Sequence, residues 1–364
     1  MVPVCLFYMN GKQMLKLELS MELDFVRAIL EDYQKKGYFP SAVCQVFDHG
    51  QVLYTAALGE AGPDDWFDMA SVSKILCTTM LLGLMDEGKL KPEDRVIELL
   101  SAAPLGPASR RRLQETTVFQ LMTHTSGIVP WFPFYADGRP FYTVLERVLG
   151  DTEPEQGFAY SDLNFMLLGQ IFSAVSGLSL REGLEQYVKG PLGLEHVSYG
   201  PVTPEHCIPS CYGNQIEKRM CRERGLSFSG WRPDGVAVQG SCNDGNAFYY
   251  WNGASGHAGI FADAASMTRL CQYYMNTDSP AVQEALGVNL NERGLGFDRS
   301  DVFPEGYGHS GFTGTSIWFS KTADIGAVIL TNKYFRREGE PPGNSNEFRR
   351  EVHRALLSWR RRAL

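Results

Sequence analysis

Ser71 and Lys74 stand three residues apart at the start of an apolar segment, and their chemistry is that of a nucleophile and a base. Asp68 is a candidate helix cap, Gly88 is a candidate helix stop, and the apolar residues between them recur at helical spacing. Residues three apart on a helix share one face. A serine hydroxyl near a helix N-terminus lies in a field that favours negative charge. A lysine one turn on takes or relays its proton, provided that its neutral form is accessible.

The Ser-x-x-Lys spacing is weak evidence on its own. It occurs by chance roughly once in a chain of this length. A capping serine followed by a solvated lysine is the alternative interpretation. The functional interpretation therefore depends on other segments that carry compatible chemistry.

Tyr160 and Asp162 come directly before a predicted helix. An ammonium group near a tyrosine favours the phenolate, so Tyr160 is a candidate base for the proton of Ser71 and for its later transfer to the leaving group. A half-buried tyrosine with a hydrogen-bonded hydroxyl is the alternative.

Segment 308–315 is rich in glycine and precedes a predicted strand. Small residues let the backbone approach a ligand closely, as an edge strand beside a nucleophile must. The backbone N–H groups of Phe312 and Ser71 would then form an oxyanion hole. A glycine-rich turn without this role is the alternative.

The elements that must position these groups are β-like at both ends of the chain and helical in the middle. Predicted strands are 41–47, 51–58, 316–319 and 325–331. Predicted helices are 20–36, 68–88, 118–122, 163–175, 180–188, 264–275 and 346–361. Segments 104–113 and 131–140 are predicted loops, the second a candidate wall or lid of the site, and segment 207–246 is predicted to be irregular.

This order predicts an α+β fold in which an antiparallel sheet is flanked by helices and a mainly helical second domain is inserted. The sheet domain would be discontinuous, comprising 1–68 and 240–364, and the helical domain would comprise 69–239. The active-site cleft would lie between the two domains.

Composition narrows the class of protein. The chain has 364 residues, 44% of them hydrophobic, and a net charge of −8, which argues against a nucleic-acid partner. The basic residues 349–350 and 360–362 are predicted to lie on the solvent face and at the end of the last helix. Segment 1–9 lacks a basic start and a cleavage site, which predicts no signal peptide and a cytoplasmic location. The longest apolar run, 75–85, is too short for a membrane span.

Eight cysteines are expected to be free thiols inside a cell. Cys207, Cys211 and Cys221, with His206 beside them, are the one candidate zinc group. Their spacing matches none of the usual paired CxxC patterns, so no metal is predicted, and small hydrophobic thiols in and under loops are the alternative. The nucleophile-and-base chemistry described above needs no organic cofactor.

The order Ser71-x-x-Lys74, Tyr160-x-Asp162 and His309-x-Gly311 resembles the class C β-lactamase-like serine hydrolases. That superfamily includes β-lactamases, low-molecular-weight penicillin-binding proteins, D-aminopeptidases and β-lactamase-like esterases. Further similar segments are 67–74, 121–127, 160–169, 187–194, 256–261 and 308–315. The resemblance implies that Ser71 is acylated and that Lys74 and Tyr160 activate it.

Two positions differ from the usual pattern of that superfamily. His309 replaces a lysine that would anchor a substrate carboxylate, and a mostly neutral imidazole weakens this anchor. Asp162 stands where asparagine is common, and a carboxylate cannot donate to a substrate carbonyl. Asp162, His309, Ser310 and Gly311 are the predicted substrate-binding residues.

The resemblance and these differences together imply an esterase or peptidase-like enzyme acting on a small ester or amide. A β-lactamase is the alternative enzyme, and a penicillin-binding or sensor-like module without turnover is the alternative of another class. No G-x-S-x-G elbow exists for an α/β-hydrolase triad, so His124 and His257 are expected to be structural hydrogen-bonding residues.

Overall fold

The computed structural model describes residues 21–337 and 342–363. The prediction of no signal peptide falls on segment 1–9, outside the described residues, as do Cys5 and the start of the helix predicted at 20. The strands are β1 (Ala42–Phe47), β2 (Val52–Leu58), β3 (Phe67–Asp68), β4 (Val197–Tyr199), β5 (Cys211–Tyr212), β6 (Ala237–Val238), β7 (Ile260–Ala262), β8 (Tyr307–Ser310), β9 (Ser316–Ser320) and β10 (Ile325–Thr331).

The helices include all those predicted and several others in segments for which no helix was predicted. They are α1 (Asp24–Lys35), α2 (Ser73–Asp86), α3 (Val96–Leu99), α4 (Pro107–Leu113), α5 (Val118–Met122), α6 (Phe134–Asp137), α7 (Phe141–Asp151), α8 (Asp162–Ser176), α9 (Leu180–Leu184), α10 (Gly190–Leu192), α11 (Gln215–Glu223), α12 (Ala264–Asn276), α13 (Pro280–Gly287) and α14 (Asn346–Ala363). A π-helical turn, Glu185–Lys189, links α9 to α10 and completes the helix predicted at 180–188.

Strands from the two ends of the chain form one antiparallel sheet in the order β2-β1-β10-β9-β8. In the register of the central pair, Ala42 lies opposite Thr331 and Phe47 lies opposite Gly326. The sheet therefore combines early and late strands, as the α+β prediction required. The division into domains at 68/69 and 239/240 stays a prediction.

Both faces of this sheet are covered by helices, which is why its central strands are buried at every position. On one face, Cys44 and Ile329 pack with Leu30 of α1 and Val352 of α14. On the other, the neighbouring residues of the same strands join the large core that contains α2 and α12. Strand β8, at the edge of the sheet, lies beside the start of α2.

The helix predicted to carry the nucleophile begins with a 3₁₀ turn, Ala70–Val72, and continues as α2. Eleven residues of α2 are buried, as expected for a core helix. Gly88 follows its end at φ +69, as the stop signal predicted. Asp68 is not its cap, because Met69 occupies the N-cap position and no side chain makes the capping hydrogen bond. Asp68 instead ends β3, and its side chain accepts the N–H groups of Ala70 and Asn243.

Segment 104–113 is not only a loop. Its second half is α4, which starts at Pro107, a residue that suits the first turn of a helix. The carboxylate of Glu146 in α7 accepts the N–H groups of Ala108 and Ser109 at 2.8 Å each. This cap comes from a distant residue, so the local pattern did not reveal the helix.

Two other predicted loop regions contain helices. Segment 131–140 includes the single turn α6, and segment 207–246, although mostly irregular, contains α11. Among the described residues, no single helix has the length and apolar character needed to cross a bilayer. One bent pair, Asp162–Ser176 with Leu180–Leu192, meets the criteria only when its two parts are combined.

Candidate active site

Ser71 lies in the first turn of the nucleophile helix, where backbone N–H groups have no partner within the helix. The preceding residue, Ala70, has φ +46, a left-handed conformation that is rare without glycine. Both backbone groups of Met69 are hydrogen-bonded. Its N–H donates to the Ile260 carbonyl, and its own carbonyl accepts the Thr315 hydroxyl at 3.0 Å. Ser71, the predicted nucleophile, therefore lies on a turn that is held by surrounding strands.

Lys74 lies directly beneath Ser71 and is fully buried. Its Nζ donates to Ser71 Oγ at 3.0 Å, to Asp162 Oδ1 at 2.7 Å and to the His257 carbonyl at 3.3 Å. Burial alone would lower the pKa of Lys74, but the charges of Asp162 and Tyr160 and hydrogen bonds to them outweigh burial and raise the pKa above 10.5. Lys74 is therefore an ammonium ion at neutral pH, and the neutral form that a lysine base requires is not the resting form.

Tyr160 precedes α8 and brings its ring over the buried ammonium. The ring centroid lies 4.9 Å from Lys74 Nζ, 4.5 Å from the His124 ring centroid and 6.1 Å from that of His309. The residue after next, Asp162, is the ion-pair partner of Lys74. Tyr160 and Asp162, predicted from one segment, therefore reach the same lysine from the start of one helix.

The glycine-rich segment places Phe312 at the turn between β8 and β9. Gly311 N–H donates to the Thr315 carbonyl at 2.7 Å, and Gly314 N–H donates to the Gly311 carbonyl at 3.1 Å. A Cβ on Gly311 would lie 2.5 Å from the Met69 carbonyl oxygen, so only glycine permits this approach to the nucleophile turn. β8 is an edge strand, as the sequence predicted.

His309 is buried on β8 and keeps a neutral ring. Burial, followed by the nearby charges of Lys74 and Arg293, holds the pKa of His309 well below 6.5. Its Nδ1 lies 2.9 Å from the Ser310 carbonyl, which can only accept a hydrogen bond. Nδ1 therefore carries the proton, and Nε2 is an acceptor rather than a cation for a carboxylate.

A cavity of about 460 Å³ opens in front of these groups. The predicted site residues at its wall are Ser71, Tyr160, Asp162, His309, Ser310, Gly311 and Phe312. Lys74 lies below the wall. Trp131, from the segment predicted as a wall or lid, also lines the cavity.

Six charged residues at the cavity wall were missed as site residues: Glu217, Asp244, Arg293, Asp298, Lys333 and Arg349. The prediction that Arg349 lies on the solvent face of the last helix is wrong. It is 3% exposed and donates to the Thr315 carbonyl and to Asn346, and burial lowers its pKa to about 9. A run of basic residues at the end of a chain gives no local signal for burial.

His124 and His257 bond within the scaffold. His124 Nδ1 accepts the Ser161 N–H at 3.1 Å and lies 3.2 Å from Asn164 Nδ2. His257 lies 3.0 Å from Asp244 through Nε2 and 2.8 Å from the Ser255 hydroxyl through Nδ1. These contacts match the expected structural roles, and Asn164 faces His124 rather than the cavity.

Among the described residues, the group with suitable metal-ligating atoms is Asp162, Asp244 and His257, whose ligand atoms lie within 4.8 Å of one another. The Lys74 ammonium already binds Asp162 there and would repel a divalent cation. Cys207, Cys211 and Cys221 are buried free thiols that do not form such a group.

Glu217 provides a pH-dependent prediction for stability. Its carboxylate accepts the Tyr135 hydroxyl at 2.7 Å and the Gly245 N–H at 2.6 Å. Burial, with a contribution from the charge of Asp244, raises the pKa of Glu217 to about 8. Because this exceeds the ordinary 4.5, the stability contributed by this group is complete at low pH and decreases as pH rises toward 8.

Glu217→Gln, which cannot ionise, is therefore expected to raise Tm relative to the wild type at pH 8 by about 2–5 °C more than at pH 5.5. Thermal unfolding at the two pH values measures this difference. Glu93→Gln, at an exposed position, is the control and should shift Tm equally at both. An equal effect of Glu217→Gln at both pH values would contradict the assignment.

A family model described as Beta-lactamase matches residues 26–348, which is most of the chain. The protein therefore belongs to the Beta-lactamase family, and the resemblance predicted from its motifs is confirmed. The family includes enzymes with different hydrolytic activities, so membership identifies a hydrolase scaffold and leaves the substrate open.

A curated relative, the N-acetylmuramyl-L-alanine amidase of Bacillus subtilis (strain 168), is 27% identical over 362 residues, covering 85% of this chain and 81% of its own length. Among solved structures, EstCE1, a hydrolase with promiscuous acyltransferase activity, has a TM-score of 0.67 at 18% identity and covers 92% of this chain and 98% of its own. The class C β-lactamase of Rhodobacter sphaeroides has a TM-score of 0.66 at 18% identity, with 92% and 99% covered. The predicted α+β fold is confirmed, and it is the β-lactamase/transpeptidase-like fold that the family resemblance implied.

Proposed function

We propose that this protein is a serine hydrolase that cleaves a small ester or amide through an acyl-enzyme on Ser71. The observation that carries the proposal is the contact of Lys74 Nζ with Ser71 Oγ at 3.0 Å, at the base of a cavity that Tyr160 also lines. A serine hydroxyl in contact with a buried cation and facing an open cavity is an arrangement suited to acyl transfer. The amidase relative and the hydrolase EstCE1 make ester and amide substrates the first choice.

The proton of Ser71 would pass to Tyr160. Since Lys74 is an ammonium ion, it donates to Ser71 Oγ and cannot accept the serine proton. The hydroxyl hydrogen of Ser71 is then free to point elsewhere, and Tyr160, whose ring centroid lies 4.9 Å from Lys74 Nζ, is the proposed acceptor. Tyr160 would return this proton to the leaving group, and water would release the acyl group by the same route in reverse.

The oxyanion of the tetrahedral intermediate would be bound by the N–H groups of Ser71 and Phe312. The first belongs to the start of a helix, where the dipole also favours negative charge. The second belongs to a turn whose internal hydrogen bonds use Gly311 and Gly314 instead. Asp162 would hold the ammonium, and His309, Ser310 and Gly311 would contact the substrate.

A neutral His309 argues against dependence on a substrate carboxylate at that position, which makes a β-lactamase the second choice. Intact-mass analysis after reaction with a fluorophosphonate, and separately with penicillin, tests these choices together with a panel of p-nitrophenyl esters. We expect one fluorophosphonate adduct on Ser71 and continuous ester hydrolysis. Penicillin turnover would favour the β-lactamase, and a stable penicillin adduct without any turnover would favour a sensor-like module. No adduct on Ser71 from either reagent would refute the proposed function.

A further inference from the structure

Asp68 is a buried carboxylate that the proposed reaction does not use. It is 3% exposed at the end of β3 and accepts three hydrogen bonds, one from Ala70 two residues along the chain and two from distant segments. Its Oδ1 accepts the Ala70 N–H at 2.9 Å, its Oδ2 accepts the Asn243 N–H at 2.5 Å, and its main-chain carbonyl accepts the Thr313 hydroxyl at 2.7 Å. One residue therefore joins three separate stretches of chain.

Each of these stretches carries a different part of the site. Ala70 precedes the nucleophile, and Thr313 follows Phe312, the second oxyanion donor. Asn243 precedes Asp244, which lies 3.0 Å from His257 Nε2. The carbonyl of His257 in turn accepts a hydrogen bond from Lys74. The Asp68 contacts thus lead to the nucleophile, the oxyanion hole and the buried ammonium.

The turn that Asp68 supports is strained. Ala70 has φ +46, a left-handed conformation that is unfavourable for a residue with a Cβ and that glycine adopts freely. Such strain persists where the surroundings hold it. The hydrogen bond from Ala70 N–H to Asp68 Oδ1 is the side-chain contact made directly to this strained peptide.

Asp68 can accept both N–H groups at once only as a carboxylate. Burial, with a smaller contribution from the charge of Asp244, raises the pKa of Asp68 to about 6, while its two backbone hydrogen bonds and the charge of Arg232 act in the opposite direction. Cys207, Cys211 and Cys242 are the other titratable groups that interact with it, and burial raises the pKa of each thiol above 9. At pH 8 the carboxylate is ionised and the thiols are neutral.

We infer that Asp68 is a positioning residue. It holds the Ser71 turn, the Phe312 turn and the Asn243–Asp244 segment in the relative positions that acylation of Ser71 needs. This inference rests on the proposed function, because its readout is the reactivity of Ser71. It assigns to Asp68 no contact with the substrate. Its loss should therefore slow acylation more than it weakens substrate binding.

Asp68→Asn tests this at pH 8, since an amide has one acceptor oxygen and presents an NH₂ group to one of the two N–H donors. We expect the rate constant for fluorophosphonate labelling of Ser71, and kcat for a p-nitrophenyl ester, to fall about 30–100-fold with KM changed less than about 3-fold. Asp263→Asn is the matched control, because Asp263 is also a buried carboxylate that accepts a backbone N–H, from Ser266, but its side-chain partners are Ser266 and His196 rather than the three stretches that Asp68 joins. It should label at close to the wild-type rate.

Two further measurements separate positioning from folding. Ala70→Gly removes the strain, so the double variant Asp68→Asn/Ala70→Gly should recover at least about 3-fold of the lost labelling rate. Thr313→Val removes the third contact and should slow labelling, whereas Thr313→Ser keeps the hydroxyl and should not. If Asp68→Asn does not fold, the comparison of Thr313→Val with Thr313→Ser tests the positioning role instead.

The inference is overturned if folded Asp68→Asn labels at the wild-type rate, if Asp263→Asn slows labelling equally, if Ala70→Gly gives no recovery, or if the two Thr313 variants label alike. In each of these cases the wild type is still labelled on Ser71. An unlabelled wild type would instead refute the proposed function, so the two failures are distinguishable.

Discussion

Replacing Ser71 with alanine is expected to lower ester hydrolysis by about 10⁴-fold or more and to abolish labelling by fluorophosphonate. The reason is that the proposed acyl-enzyme is a covalent bond to Ser71 Oγ, the serine hydroxyl that the Lys74 ammonium contacts at 3.0 Å. Steady-state hydrolysis of p-nitrophenyl esters and intact-mass analysis measure the two effects. The fold should persist, since the substitution removes one oxygen at the cavity surface.

Ser73→Ala is the matched control on the same helix. Ser73 is fully buried, does not line the cavity and accepts the Ile260 N–H at 3.2 Å. Its loss leaves a buried donor without a partner, so we expect a lower Tm with activity within about 10-fold of the wild type. Substantial hydrolysis by Ser71→Ala would mean that another nucleophile, or water activated directly, carries the reaction.

Lys74→Met is expected to combine the second-largest loss of activity with a large loss of stability. Methionine fills a similar volume but supplies neither a charge nor a donor to Ser71 Oγ, and we expect kcat/KM to fall about 10³-fold. The side chain of Lys74 is fully buried and that of Asp162 is 19% exposed. Removing one partner of such a pair leaves a charge without compensation, so the free energy of unfolding should fall by about 3–5 kcal/mol.

The double variant Lys74→Met/Asp162→Asn separates the two effects. It removes both charges, so much of the lost stability should return while the activity should not. Asp162→Asn alone retains the ammonium and should keep activity within about 30-fold of the wild type. Denaturant unfolding and ester kinetics on the four proteins of this cycle provide the measurement. Recovery of activity in the double variant would show that Lys74 serves the fold and not the reaction.

Much of the fold was predictable because its strongest elements have clear periodic patterns. The helix after Ser71 and the strands near residues 42–58 and 316–331 lie where the apolar spacing placed them. Helix α4 was missed because Glu146, remote in sequence, caps it. Helix α11 was missed because it lies in a polar, irregular region where packing rather than periodicity determines structure.

Some residues of the candidate site could likewise be predicted from the sequence, and others could not. Ser71, Lys74, Tyr160 and the glycine-rich turn were predicted from the sequence because candidate nucleophiles, bases and close-approach residues have recognisable types and spacing. Glu217, Asp244, Arg293 and Arg349 gave no such signal, since single charged residues in loops and helices are usually solvated. Only the packing of distant segments places them at one cavity.

The amino-acid sequence by itself determined which groups are available for chemistry, the α+β class and the family. Tertiary structure alone decided the protonation state of Lys74, the tautomer of His309 and the burial of Arg349. The physical reason is that a pKa and a hydrogen-bond partner depend on burial and on charges within a few ångströms. Asp162 and Asp68 acquire their neighbours only when segments more than eighty residues apart meet, as Lys74 and Asn243 show.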